Sequence, residues 1–320
     1  MWAAIQPVTP RTAKLQSAET RTLKLGTRGS PLALAQAEMV RAGLAAVGHA
    51  AEVVPIRTTG DRIIDRPLAE AGGKGLFTKE IDAALLSGAI DLAVHSAKDL
   101  PTALPDGIAI AACLKRADHR DAFLSPRART LGELPQGAVI GTASLRRAAL
   151  ALRLRPDLRI VPMRGNVHTR LRNLADGGAD ATVLAMAGLA RLGLADRAAS
   201  VLEAEDWLPA PGQGTVAVTA RRDDRPIRDL LLRLDHGATT TTLLCERAFL
   251  GVLDGSCRTP IGGLAEVSGD RIRFRGIIVK PDGSVAHWVE REGAAGDGAA
   301  IGADAGSELA RLGGADFFAG

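Results

Sequence analysis

The stretch LDGSCRTPIGG, residues 253–263, sets Cys257 in a glycine- and serine-rich turn with Arg258 beside it. A neighbouring cation favours the thiolate, the nucleophilic form of cysteine, so this thiol reads as reactive. The chain has three cysteines. Cys113 closes the apolar run IAIAAC, and Cys245 lines up with Phe249 and Val252 at helical spacing. Both read as core residues, since a free cysteine packs as a small hydrophobe. No second cysteine or histidine stands at ligand spacing from Cys257, which argues against a metal.

A second cluster is AVHSAKDLPT, 93–102, an apolar strand running into His95, Ser96, Lys98 and Asp99 and stopped by Pro101. In open α/β sheets, groups just past the carboxyl ends of strands face the ligand crevice. A capped, solvated loop is the alternative. One carboxylate among cations can offset a developing positive charge and move protons. The arginines make a third set. TRGS offers Arg28 and Ser30, GTASLRR offers Thr142, Ser144, Arg146 and Arg147, and MRGNVHTR offers Arg164, Asn166 and Arg170. Each group follows a strand and opens a helix, where free backbone N–H groups already favour anions. Arginine adds a planar fork suited to carboxylate or phosphate. Recurrence at equivalent places points to a ligand with several negative groups. GGKG, 72–75, lacks the spacing and hydroxyl residue of a phosphate loop and follows no strand. Lys74 and Phe77 are instead candidates for a lid over the crevice. His119 and His168 read as surface residues.

These groups need a frame. From about 22 to 112 short apolar runs alternate with helical segments. Ser30 reads as a helix N-cap, Pro31 as the first helical residue and Gly48 as the stop, with Leu32, Ala35, Met39, Gly43 and Val47 on one stripe. Phe77, Ile81, Ala84 and Leu85 form a second stripe that feeds the strand AIDLAV. The pattern restarts after KRADHRDA with AVIGT, RIVPM and ATVLAM, each alternating with helix. VAVTA is then a lone strand that can pair back into the first sheet. From about 238 comes a long helix, then RIRFRGIIV and SVAHWVE joined by PDG, the pattern of an antiparallel sheet. The expected fold is α/β in three domains: 22–115 with 215–237, then 116–214, then a small α+β domain at 238–320. Residues 1–21 read as a flexible extension with no secretory signal, an organellar transit peptide being the alternative, and without an export signal the protein is expected in the reducing cytoplasm.

Composition narrows the classes. The chain has 320 residues, 46% hydrophobic, and a net charge of +4. No apolar run reaches the roughly 18 residues of a membrane-spanning helix. Aromatics are 3% and tyrosine is absent, leaving little on which to stack bases.

The ordered motifs LGTRGSPLALAQ, GGKGLFTKEID, AVHSAKDLP, GTASLRR, RGNVHTRL, LAMAGLARL, PAPGQG and GSCRTPIGG resemble those of the hydroxymethylbilane synthase family, also called porphobilinogen deaminases. The resemblance runs from about 22 to 265, less distinctly beyond. Ser256 stands where the family more often has glycine, and His168 where a small or polar residue is usual. The resemblance implies two domains like those of periplasmic binding proteins, with the active site between them, and a third carrying the thiol. It implies a dipyrromethane cofactor bonded to Cys257. Four porphobilinogens are added to it head to tail, each losing ammonia, and water releases the linear tetrapyrrole. It implies Asp99 as the catalytic carboxylate facing a cationic azafulvene. Besides Cys257 and Asp99, the cofactor would meet Ser96, Lys98, Thr142, Ser144, Arg146, Arg147, Arg164 and Gly165. Substrate would meet Arg28, Ser30, Gln36, Lys74, Phe77, Arg164, Asn166, Arg170, Arg191 and Gln213. It further implies no metal, no nucleic acid and no membrane, a monomer, and a product passed to uroporphyrinogen III synthase. A solute-binding or sensor protein is the main rival; it accounts for the arginines but gives Cys257 and the third domain no role.

Overall fold

The structure is a computed structural model that describes residues 21–62, 76–253, 259–314 and 316–318. The expectations for Lys74, Cys257 and the extension before Arg21 lie outside the described residues.

Among the described residues the order begins with strand β1 (Leu23–Arg28), helix α1 (Pro31–Ala46), strand β2 (Ala51–Ile56), helices α2 (Thr59–Arg62) and α3 (Lys79–Leu86), and strands β3 (Leu92–Ser96) and β4 (Ile108–Cys113). Ser30 caps α1, its Oγ accepting from the Ala33 amide at 3.3 Å. The buried face of α1 differs from the expected stripe. It carries Gln36, Ala37, Val40 and Leu44, while Met39 is 40% exposed. Ala37, Val40 and Leu44 form an apolar stripe of their own, and Gln36 beside it turns inward to hydrogen-bond the Ser96 hydroxyl at the end of β3.

A second unit follows: β5 (Asp121–Leu124), β6 (Val139–Gly141), α4 (Leu145–Leu154), β7 (Arg159–Val161), α5 (Val167–Ala175), β8 (Ala181–Ala185), α6 (Met186–Arg191) and β9 (Ser200–Leu202). Strand β10 (Val216–Arg221) and helix α7 (Arg225–Leu231) come next. The first sheet has the order β2-β1-β3-β10-β4, the second β7-β6-β8-β5-β9. Each has three parallel strands, then a fourth running antiparallel. In the first sheet that fourth strand is β10, paired to both β3 and β4. The chain therefore crosses between sheets twice, after β4 and before β10.

The last unit is α8 (Gly237–Val252), strands β11 (Ile261–Ser268), β12 (Arg271–Val279) and β13 (Ala286–Ala294), and α9 (Gly298–Gly313). The strands form an antiparallel sheet against which Cys245, Phe249, Ala305 and Leu309 pack. Val252, expected to share the Cys245–Phe249 stripe, is 42% exposed. The fold is thus α/β with a small antiparallel third domain.

One buried carboxylate joins the units. Glu246 on α8 accepts from Arg116 Nη1 at 2.6 Å in the first crossover, from the Gly212 amide at 2.5 Å in the second, and from the Ala265 amide at 2.8 Å. It is fully buried, and such a group is tolerated only when its lone pairs are satisfied.

Candidate active site

The candidate side chains stand where strands of the two larger sheets end. At the end of β3 a short 3-10 turn, Ala97–Asp99, carries Lys98 and Asp99. Asp99 is exposed and Lys98 half-buried. Lys98 Nζ donates to Gln213 Oε1 at 3.2 Å. Burial and the neighbouring Arg147 push the Lys98 pKa down to about 8, against the opposing charges of Asp99 and Asp121.

In the second sheet β6 runs into Thr142, whose hydroxyl accepts from the Ser144 amide at 3.1 Å. Ser144 caps α4, and the first turn of that helix places Arg146 and Arg147 inward. Both are buried and share one carboxylate: Asp121 Oδ2 meets Arg146 at 2.7 Å and Asp121 Oδ1 meets Arg147 at 2.6 Å. Trp207 Nε1 and Gln213 Nε2 each donate to the same carboxylate at 2.9 Å. Burial alone would raise the Asp121 pKa, but the guanidiniums of Arg147 and Arg146 hold it well below the usual carboxylate range. Gln213 also donates to the His119 carbonyl, so one buried amide links Lys98 of the first unit to Asp121 of the second. His119 is half-buried rather than a surface residue, while His168 is exposed as expected.

After β7, Gly165 takes a φ of 103°, a backbone conformation that glycine adopts readily and L side chains rarely do. That turn lets Asn166 cap α5 by accepting from the Thr169 amide at 2.9 Å. It also brings the Gly165 carbonyl within 2.9 Å of Arg170 Nε. Burial, Arg147 and Arg164 draw the Arg170 pKa down to about 10, with Asp99 opposing. Arg170 thus lies near Arg147, Arg164 and Asp99, and Lys98 near Arg147 and Asp99, which draws groups of the two units together. Arg28, at the end of β1, lies 4.2 Å over the Phe77 ring. Arg191 on α6 donates to the Gly214 carbonyl at 2.6 Å. His95 is different: it is buried in the first sheet beside Thr219 at 3.2 Å, and burial lowers its pKa to about 4. It is a neutral sheet residue, not a group facing the crevice.

The donors present can be tested against a dipyrromethane, which carries an acetate and a propionate on each ring. Among the described residues, the Nε groups of Arg146, Arg147 and Arg191 are buried without a hydrogen-bond partner. Unsatisfied guanidinium donors are costly in a protein interior, and carboxylates are the acceptors that match them best. The residues present fit such a group. No cluster of histidine, cysteine and acidic residues able to hold a metal occurs among the described residues.

Asp121 escaped the sequence reading, and its effect is large. Asp121→Asn keeps the shape but turns a donor toward two guanidiniums. Removing one partner of a buried ion pair costs about 3–5 kcal/mol, so a drop in melting temperature at pH 7 is expected. Because the folded-state pKa lies below the ordinary value, Asp121 contributes stability above about pH 4, lost as the pH falls toward the folded-state value. The gap between wild type and variant should therefore narrow in thermal melts below about pH 4. A gap that is constant with pH would contradict this.

Residues 23–229 match the family model "Porphobilinogen deaminase, dipyromethane cofactor binding domain", and residues 240–311 match "Porphobilinogen deaminase, C-terminal domain". A porphobilinogen deaminase of Nitrobacter hamburgensis is 56% identical over 307 residues, covering 94% of this chain and 97% of that protein. One from Paracoccus denitrificans is 53% identical over 300 residues, covering 92% and 96%. Among solved structures, an ABC-transporter periplasmic substrate-binding protein from Coxiella burnetii aligns at a TM-score of 0.44 with 17% identity, covering 69% of this chain and 94% of that one.

Proposed function

The chain belongs to the porphobilinogen deaminase family, and we propose that it performs this family's reaction with Asp99 as catalytic carboxylate and Cys257 as tether. The activity is that of a transferase, hydroxymethylbilane synthase of tetrapyrrole synthesis, and the cofactor is dipyrromethane. When bound, that cofactor supplies the free pyrrole position from which the product grows. Four porphobilinogens are joined head to tail with loss of ammonia, and water releases the linear product.

One observation carries the residue assignment. Asp99 is an exposed carboxylate beside Lys98 and Arg170, whereas the nearby Asp121 is already spent on Arg146 and Arg147. As ammonia leaves porphobilinogen, positive charge develops on its methylene and ring, and a fixed carboxylate offsets it. The basic groups take the acetate and propionate side chains. Arg146, Arg147, Lys98, Ser96, Thr142, Ser144, Arg164 and Gly165 surround the primer. Arg28, Ser30, Gln36, Phe77, Asn166, Arg170, Arg191 and Gln213, with Lys74 and again Arg164, receive the incoming unit.

No described helix is long and apolar enough to cross a membrane. The protein works as a cytoplasmic monomer, and its product goes on to uroporphyrinogen III synthase.

The test reads the arginines by stage. A hydrogen bond to a charged group contributes about 1.5–3 kcal/mol net. Arg28→Leu, Arg164→Leu and Arg170→Leu should each slow chiefly those additions whose carboxylates that arginine holds. With limiting porphobilinogen, intact masses should then show different stalled species, one, two or three units beyond the primer. Arg146→Leu and Arg147→Leu, which also strip Asp121, should instead leave protein without primer. Identical stalling in all five would make the arginines a general electrostatic attractor and refute the assignment.

A further inference from the structure

Helix α8 ends just before the segment that carries Cys257. Its Arg247 reaches back to the first sheet and donates from one nitrogen, Nη2, to the carbonyls of Pro101 and Thr102, each at 2.8 Å. Those carbonyls lie directly beyond the Ala97–Asp99 turn. Burial lowers the Arg247 pKa, and neutral carbonyls repay the desolvation of a guanidinium less well than a carboxylate would. The same helix grips the turn a second time, with Leu243 packed in one cluster with Ala97 and Leu100.

We infer that Arg247 is a positioning residue that holds the Asp99 turn at a fixed place relative to the helix leading to the Cys257 tether. This rests on the reading of Asp99 and Cys257 given above. A product chain anchored at one point and extended at another needs those points held in register. Every addition uses Asp99, so a loosened turn slows every addition, unlike loss of an arginine that binds one set of carboxylates. A misplacement of about 1 Å can cost about 10²-fold in rate.

The experiment uses the holoenzyme, with primer loading checked by intact mass. Arg247→Met keeps the apolar stem and removes the donors. Arg247→Lys keeps one nitrogen able to serve both carbonyls. The Met variant should stay primed and hold its KM within about two-fold while kcat falls at least about 10-fold. Its intermediates should keep wild-type proportions, and the Lys variant should recover most of the loss. If the Met variant does not fold, Arg247→Gln, too short to reach both carbonyls, is read in its place. A kcat within about two-fold of wild type, a loss confined to KM or to one addition, or a Lys variant no better than Met would each overturn the inference. Asp99→Asn is run alongside. If that variant is active, the carboxylate assignment fails and this inference with it; if it is inert while Arg247→Met is normal, the positioning role alone fails.

Discussion

Cys257→Ser should fold, weigh what its sequence weighs, and form no product. The wild type should be heavier by one dipyrromethane and should colour with an acidic aldehyde reagent for pyrroles after denaturation and desalting; the variant should not. Neither of the other two cysteines offers a substitute. Cys113 is buried in β4 and burial pushes its thiol up to about 11. Cys245 is buried on α8, where burial and the adjacent Glu246 push it up to about 12. The thiolate is the nucleophile, so neither carries a useful fraction of it at neutral pH. A serine hydroxyl is weaker still. An adduct found on Cys113 or Cys245, or an active variant without added mass, would refute the tether.

Asp99→Asn should separate rate from stability. Asparagine matches aspartate in size but carries no charge to set against the cation formed as ammonia leaves. Loss of such electrostatic stabilisation typically costs about 3–4 kcal/mol, or about 10²–10³ in kcat. Stability should change by less than about 0.5 kcal/mol, because Asp99 is an exposed surface group. The expected result is therefore a primed protein with a near-normal melting curve and very slow turnover. Turnover close to wild type would remove Asp99 from the chemistry.

Much of the frame could be read in advance because it depends on local rules. Ser30, Ser144 and Asn166 cap their helices through a side-chain oxygen that any sequence displays openly. What escaped depends on distant partners. Asp121 opens a strand that is buried throughout, DAFL, and a charged residue leading such a run is itself a signal of a buried pair. It was hidden by the polar linker before it. Glu246 and Arg247 sit side by side on a helix and look like ordinary solvated charges until the fold brings them Arg116, Gly212 and the carbonyls of Pro101 and Thr102. Helix α9 escaped for another reason. It packs on α8 through glycines, and a Cβ at Gly302 would come within 2.0 Å of the Cys245 carbonyl oxygen. Glycine is a poor helix former, so the residues that permit the contact erase the periodic signal. The stripe on α1 misled because the helix carries two apolar stripes, and only the contact with the first sheet, through Ala37, Val40, Leu44 and Gln36, selects between them.

The place of β10 between β3 and β4 governs the order in which the molecule can be made. A chain leaves the ribosome from its N-terminus, and domains fold as units once their sequence is out. The strands of the second sheet all lie between residues 121 and 202, so that unit is complete in one continuous stretch. The first sheet is not. Until Val216–Arg221 emerges, β4 has no partner in the sheet and the β3 edge stands open, a template for pairing with another chain. The first unit to be synthesised is therefore the later one to close. It waits, edge exposed, while the second folds. That interval during synthesis is when the chain is most open to aggregation.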